Sequence, residues 1–316
     1  PPGRSIEWRD LVRGPQRVAS REIGDFVLVR SGGAPGFLFG NAVDDALMGI
    51  TDVLRGEDHT SNTPRQLLIL EALGLPAPRY GHLSLVVTPE GQPLSKRAGS
   101  PGLEDLRRAG YVASAVANDL GRLGHGIDGD ELLDMATLAA AFDLGRLSTS
   151  PARFDLEQLD HWQHKAVAAQ STEALAAWAG DGLDSVPAGK KSAFLELIRH
   201  NVHKPTDVAD WARCLFHADG MAAGPDVQTA AAEAGPVFFA TAAEHAGAGL
   251  SALSTAVREA SGRKGRALFL PLRLALTGRA DGPELGPLLE LMPESLARAR
   301  LRRWAGADDA RADPQE

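Results

Sequence analysis

Hydrophobic positions in the first part of the chain fall in short runs that end in polar clusters, as strands do when they feed a functional loop. The run Ile50, Val53 and Leu54 ends in Arg55, Gly56, Glu57, Asp58 and His59. A helix is expected next: Asn62 or Thr63 can accept from its first N–H groups, Pro64 suits its first position, and Gly74 suits an αL stop. Leu67, Leu68, Leu70, Leu73 and Leu75 give that helix an apolar face. A second strand over residues 82–87 leads to a loop holding Ser95, Lys96 and Arg97. Upstream, residues 26–29 read as a strand, Gly32 and Gly33 as a turn, and residues 34–40 as an extended piece. Residues 41–48 read as a helix in which Asp44 and Asp45 balance the positive end of the dipole. Strand end, helix, strand end and basic loop is the plan of a doubly wound α/β site.

From residue 103 the spacing becomes helical. Leu103, Leu106 and, past Gly110, Val112, Val116 and Leu120 are spaced for helix faces, and residues 156–260 are alanine-rich and helical. The fold class expected is therefore α/β plus all-α.

A chain of 316 residues holds two or three domains. Its net charge of −8 argues against wholesale coating of nucleic acid but leaves room for a local basic surface. The single cysteine, Cys214, excludes an intramolecular disulfide and a cysteine-based zinc site. No apolar run is long enough for a membrane span, and residues 1–23 carry charges in place of a signal-peptide core. A soluble cytoplasmic protein is expected.

Among candidate chemical groups, Arg55 at a strand end could hold a carboxylate bidentately, or be an ordinary surface arginine. His161 and His164, and His200 and His203, are spaced H-x-x-H but lack the acidic residue of an HExxH site, so surface or packing roles are expected. Gly189-Lys190-Lys191-Ser192 is no phosphate loop, because its upstream glycine is misplaced and no strand precedes it.

The block V-L-R-G-E-D-H-T-S-N-T-P-R-Q at residues 53–66, followed by P-L-S-K-R-A-G at 93–99, resembles the glutamyl-tRNA synthetase family of class I aminoacyl-tRNA synthetases. Leu94, Ser95, Lys96 and Arg97 match that family's KMSKS-type loop. The resemblance implies three parts: residues 1–100 as the second half of a Rossmann-type catalytic domain, 101–160 as a stem-contact helical subdomain, and 161–316 as a helical anticodon-binding domain. The stretch S-T-S-P-A-R-F-D at 148–155 would close the second part. By the same resemblance Phe37, Asn41 and Arg55 surround L-glutamate, while Asp58, His59, Ser95 and Lys96 face ATP. The resemblance implies that Lys96 is the catalytic residue, meeting the charge that develops on the phosphates as pyrophosphate leaves. Residues 262–285 resemble the anticodon-binding hallmark, with Lys264, Arg266 and Arg273 placed to contact tRNA phosphates. Snorkelling stems on a helix surface are the plain alternative there. Arg298, Arg300, Arg302 and Arg303 form a second basic cluster with the same two readings. Substrates implied are ATP as its Mg²⁺ complex, L-glutamate and tRNA(Glu). No protein-bound metal or zinc, no membrane contact and a monomeric state when complete are expected.

Four departures qualify the match. Phe37 stands where the family usually has tyrosine, and a lost hydrogen bond to a charged partner costs about 1.5–3 kcal/mol. Pro93 and Ala98 replace the common lysine and histidine of the loop. The family's His-x-Gly-His signature does not occur ahead of Lys96. The expectation is thus a glutamate–tRNA ligase whose first active-site half lies outside this sequence, so that the fragment alone is inactive. The rival is a catalytically silent tRNA-binding paralogue.

Overall fold

A computed structural model describes residues 3–94, 101–219 and 224–306. The chain divides into two units, Pro1–Asp105 with Ala113–Trp162, and Leu106–Val112 with Gln163–Glu316.

The first unit opens with an antiparallel hairpin, β1 (Ser5–Asp10) and β2 (Gly14–Ala19), followed by a single helical turn, α1 (Ser20–Ile23). Asp10 closes the hairpin turn by accepting from the backbone N–H groups of Val12 and Arg13, each at 3.0 Å. Residues 26–29 do not form the expected strand. Only an isolated bridge joins Val29 to Pro35, and a tight turn is held by Arg30 N to Ala34 O at 2.8 Å and Gly36 N to Leu28 O at 2.7 Å. Val27 and Val29 remain exposed, so β-propensity had no neighbouring strand to act against. Helix α2 (Phe37–Leu47) starts four residues earlier than expected, directly after extended Gly36. Residues 37–40 are consequently helical, and Asp44 and Asp45 sit in the C-terminal half of α2 instead of balancing its N-terminus.

Strands β3 (Asp52–Gly56) and β4 (Arg79–Leu83) pair in parallel. Their crossover consists of a 3₁₀ turn, Glu57–Asn62, and helix α3 (Thr63–Leu73). Pro64 occupies the first turn of α3 and Gly74 ends it in the αL region at φ 65°, as expected. Neither candidate side chain caps the helix, because both are engaged elsewhere. The Asn62 amide lies 2.9 Å from His59 Nδ1, and the Thr63 hydroxyl is committed to Arg55. Ile69 and Leu70, with Ala42 of α2, form the small core under α3, whereas Leu73 is exposed. The strand expected at 82–87 breaks at Ser84 and Leu85. Its remainder, β5 (Val86–Val87), pairs in parallel with β6 (Ala152–Arg153). Glu57 accounts for the break, because its carboxylate takes Leu85 N at 3.2 Å and pairs with Arg13.

Helices α4 (Leu103–Arg108), α5 (Ala113–Arg122) and α6 (Met135–Ala141) follow. On α4 Leu106 is buried as expected while Leu103 is exposed, and the buried face of α5 carries Ala115, Asn118 and Asp119 while Leu120 is exposed. Asn118 is buried because it replaces a backbone partner: its Nδ2 donates to Leu133 O at 2.8 Å and its Oδ1 accepts from Leu133 N at 2.9 Å. Helix α7 (Leu156–Ala168) starts at Asp155, whose carboxylate accepts from Glu157 N at 2.9 Å.

Among its described residues the second unit is helical, from α8 (Thr172–Ala179), α9 (Lys191–Ile198), α10 (Pro205–Phe216) and α11 (Pro225–Ala234) to α12 (Pro236–Glu244) and α13 (Gly249–Ser261). It ends in α14 (Arg266–Thr277), α15 (Leu285–Leu291) and α16 (Glu294–Arg303). Trp211, Phe194, Phe238 and Phe239 are fully buried in its core.

Candidate functional site

The register of β3 and β4 sets Arg55 beside His82 at the carboxyl ends of two parallel strands, where open α/β sheets take ligands. The half-buried Arg55 guanidinium is held on three sides. Nε donates to His82 Nε2 at 3.2 Å, Nη1 to Gln66 Oε1 at 2.8 Å, and Nη2 to Thr63 Oγ1 at 2.6 Å. The cation also lies 5.1 Å from the centre of the Tyr80 ring. None of these partners is a carboxylate, and among the described residues Arg55 makes no ion pair. Burial lowers its pKa, opposed by Tyr80, Asp45, Asp10 and Asp58. A guanidinium nevertheless stays charged in a protein, so among the described residues the cleft carries a positive charge with no carboxylate in direct contact. Gln66 extends the array by donating from Nε2 to Asn41 Oδ1 at 2.8 Å.

Behind Arg55 the polar chain continues inward. His82 is fully buried, and its Nδ1 lies 2.5 Å from Asp10 Oδ2. Asp10, only 2% exposed, also accepts from His82 N at 3.1 Å. Desolvation pushes the Asp10 pKa up, but the hydrogen bonds from Arg13, His82 and Val12 together outweigh it and hold the carboxyl below its usual range. Asp45 and Tyr80 complete the surroundings. Burial raises the Asp45 pKa, and pushes that of Tyr80 up to about 12. Asp45 Oδ2 and the Tyr80 hydroxyl are buried without a hydrogen-bond partner among the described residues.

At the rim, Phe37 begins α2 with half its surface exposed, and its ring lies 5.7 Å from that of His59. Asp58 Oδ2 is 3.8 Å from His59 Nε2. A Cβ at Gly56 would press on the Asp58 carboxylate, a flexible side chain that could turn aside. Phe37, Asn41, Arg55, Asp58 and His59 are thus gathered around one strand end. Ser95 and Lys96, with Arg97 and Ala98, lie outside the described residues. Sequence reasoning passed over Asp10, Thr63, Gln66 and His82. Thr63 and Gln66 were present in the diagnostic block, whereas His82 becomes recognisable only once the β3–β4 register is known.

In the second unit Lys264 and Arg266 are exposed at the start of α14. Arg273 is partly buried and donates to Pro283 O at 2.7 Å, and its burial lowers its pKa. The second basic cluster is divided as well: Arg300 is buried, donating to Leu276 O and His217 O, Arg298 pairs with Glu294, and Arg302 and Arg303 are exposed. His161 faces Asp130 at 2.6 Å, and His164 Nε2 lies 3.0 Å from His200 O. Among the described residues, no three His, Cys, Asp or Glu side chains converge as a metal site, and no helix is long and apolar enough to cross a membrane.

Comparison with known proteins matches residues 1–161 to the family described as tRNA synthetases class I (E and Q), catalytic domain, and residues 170–305 to an anticodon binding domain. Glutamate–tRNA ligase 2 of Nitrosococcus oceani is 49% identical over 302 residues, covering 94% of this chain and 64% of the relative. Glutamate–tRNA ligase 2 of Alkalilimnicola ehrlichii is 48% identical over 309 residues, covering 96% and 65%. The chain therefore spans slightly under two thirds of these relatives' length. A crystal structure of a glutamate tRNA ligase from Elizabethkingia meningosepticum, in complex with its amino acid, superposes with a TM-score of 0.82 at 26% identity, covering 97% of this chain and 67% of that one.

Proposed function

Since the chain belongs to the class I tRNA synthetase family (E and Q), we propose that the protein carrying it is a glutamate–tRNA ligase. The single observation behind this reading is Arg55: a half-buried cation fixed by His82, Gln66 and Thr63, with no carboxylate paired to it among the described residues. Such a receptor selects a ligand that brings a carboxylate. Glutamate places its side-chain carboxylate on Arg55, with Asn41 and Phe37 bounding the cleft. Relatives named glutamate–tRNA ligase support the choice of amino acid.

ATP approaches from the side of Asp58 and His59, where the exposed Asp58 carboxylate suits ribose hydroxyls. Mg²⁺ enters as the counter-ion of the ATP phosphates. In the activation step an oxygen of the glutamate α-carboxylate bonds to the α-phosphorus of ATP. The bond from that phosphorus to the bridging oxygen breaks, and pyrophosphate carries the electron pair away. Lys96 stabilises the departing charge. A ribose hydroxyl at the tRNA 3′ end then attacks the activated carbonyl, transferring glutamate and releasing AMP. Lys264 and Arg266 contact tRNA phosphates, which position the RNA without reading its bases. Arg273, tied to the backbone of Pro283, serves first to brace the helix it sits on.

The test is tRNA-dependent ATP–pyrophosphate exchange by the complete gene product across a panel of amino acids. Exchange with glutamate that disappears in Lys96→Ala supports the reading. Binding of tRNA with no exchange for any amino acid would instead identify a catalytically silent paralogue.

A further inference from the structure

Arg55 has a built support whose parts are buried, and whose hydrogen-bond directions can be assigned from chemistry alone. A guanidinium only donates, so the 3.2 Å contact from Arg55 Nε requires a lone pair on His82 Nε2. The His82 proton must then sit on Nδ1, where Asp10 Oδ2 is the acceptor at 2.5 Å. Thr63 Oγ1, 3.1 Å from the same Nε2, accepts from Arg55 Nη2 and can turn its own hydrogen toward the imidazole. Asp10 is itself fixed by three backbone donors, Val12, Arg13 and His82. Orientation is thereby passed from the β1–β2 turn through an imidazole to the guanidinium.

We propose that Asp10 and His82 are positioning residues for substrate recognition. Asp10 selects the Nδ1–H tautomer of His82, and the exposed Nε2 lone pair holds the Arg55 fork at the angle that meets an acidic amino acid. The proposal rests on the assignment of Arg55 to the glutamate carboxylate. Its chemical content is specific: the opposite tautomer would point an N–H at the Arg55 Nε–H, and the fork would have to rotate away. Neither Asp10 nor His82 touches substrate. Their effect is carried by Arg55, so it appears in affinity for the amino acid and not in handling of ATP.

Two measurements test this. In this chain, ¹⁵N NMR of the His82 ring is expected to show a protonated Nδ1 and an unprotonated Nε2. A protonated Nε2 overturns the proposal whatever the variants do. In the complete gene product, His82→Gln keeps an acceptor near the Nε2 position, while His82→Asn keeps a donor toward Asp10 and loses that acceptor. Asp10→Asn removes the preference for the Nδ1–H tautomer. His82→Asn and Asp10→Asn are expected to raise the KM for glutamate about 10- to 100-fold, the range for a lost hydrogen bond to a charged group. KM for ATP and kcat should change little, and His82→Gln should recover most of the loss. An unchanged glutamate KM in all three variants, with Arg55→Lys strongly impaired, overturns the positioning role alone. Failure of the unmodified protein to activate glutamate overturns the Arg55 assignment and this proposal with it.

Discussion

Replacing Arg55 by lysine isolates the geometry of the guanidinium from its charge. The arginine fork serves three side-chain acceptors in different directions, His82 Nε2, Gln66 Oε1 and Thr63 Oγ1, together with the His59 carbonyl at 3.5 Å, and among the described residues has an Nη1–H left for a ligand. An ammonium group has three donors on a flexible stem and no planar fork. Committing them to the three protein acceptors leaves nothing for the substrate; turning one outward strands a buried acceptor. Losing one charge-assisted arm to the substrate costs about 1.5–3 kcal/mol, and an unpaired buried acceptor about 1–3 kcal/mol. Partial relaxation overlaps the two, giving about 3–4 kcal/mol in transition-state binding, or about 10²- to 10³-fold in kcat/KM. The assay is glutamate-dependent pyrophosphate exchange in the presence of tRNA, with thermal melting to check that the variant is folded. A folded Arg55→Lys protein that loses less than about fivefold in kcat/KM would refute the assignment, because any surface cation would then serve equally well.

Three further outcomes are expected. Gly81→Ala places a Cβ 2.6 Å from Leu54 Cδ2 and 3.1 Å from Leu11 Cβ, so it should destabilise the β3–β4 pair by about 1–3 kcal/mol in urea unfolding. Asp119 is 5% exposed, and burial, assisted by Asp155, raises its pKa to about 6. A raised folded-state value means that stability is fully present below the ordinary carboxyl pKa near 4 and is lost as pH rises through about 6. Asp119→Asn should therefore have little effect at about pH 3.5 and stabilise by up to about 3 kcal/mol at about pH 8, measured by denaturant melts. Lys264→Ala and Arg266→Ala should each weaken tRNA binding and flatten its salt dependence by about one unit of slope. Arg300→Met should leave that slope unchanged while lowering the stability of the helical unit, since Arg300 is committed to the carbonyls of Leu276 and His217.

The sequence was most legible where one residue type answers one local demand. Pro64 and Gly74 bounded α3 correctly because helix ends are local chemistry. Residues 26–29 misled because a strand is completed only by a neighbour, and only the Val29–Pro35 bridge forms there. The face of α5 misled because Asn118 is buried through its bonds to the Leu133 backbone, an interaction that hydrophobic spacing does not register. Charge in the sequence likewise does not say what a cation serves: Arg273 and Arg300 both donate to backbone carbonyls.

The block R-G-E-D-H-T-S-N-T-P-R-Q carried more than the cleft itself, which explains its specificity. Arg55 supplies the cation, and Thr63 and Gln66 supply two of its acceptors. Glu57 ties the turn after β1 to the start of β5 by pairing with Arg13 and accepting from Leu85 N at 3.2 Å. The same turn holds Asp10, from which the inner chain runs through His82 back to Arg55. Loosening the Glu57–Arg13 pair should therefore reach the cleft from the far side of the sheet, as a change in Arg55 orientation. What the block could not contain was His82, a partner 27 residues away whose contact with Arg55 exists only in the parallel register. A short motif can specify the cation and its near supports, whereas the direction in which that cation points is fixed by the fold.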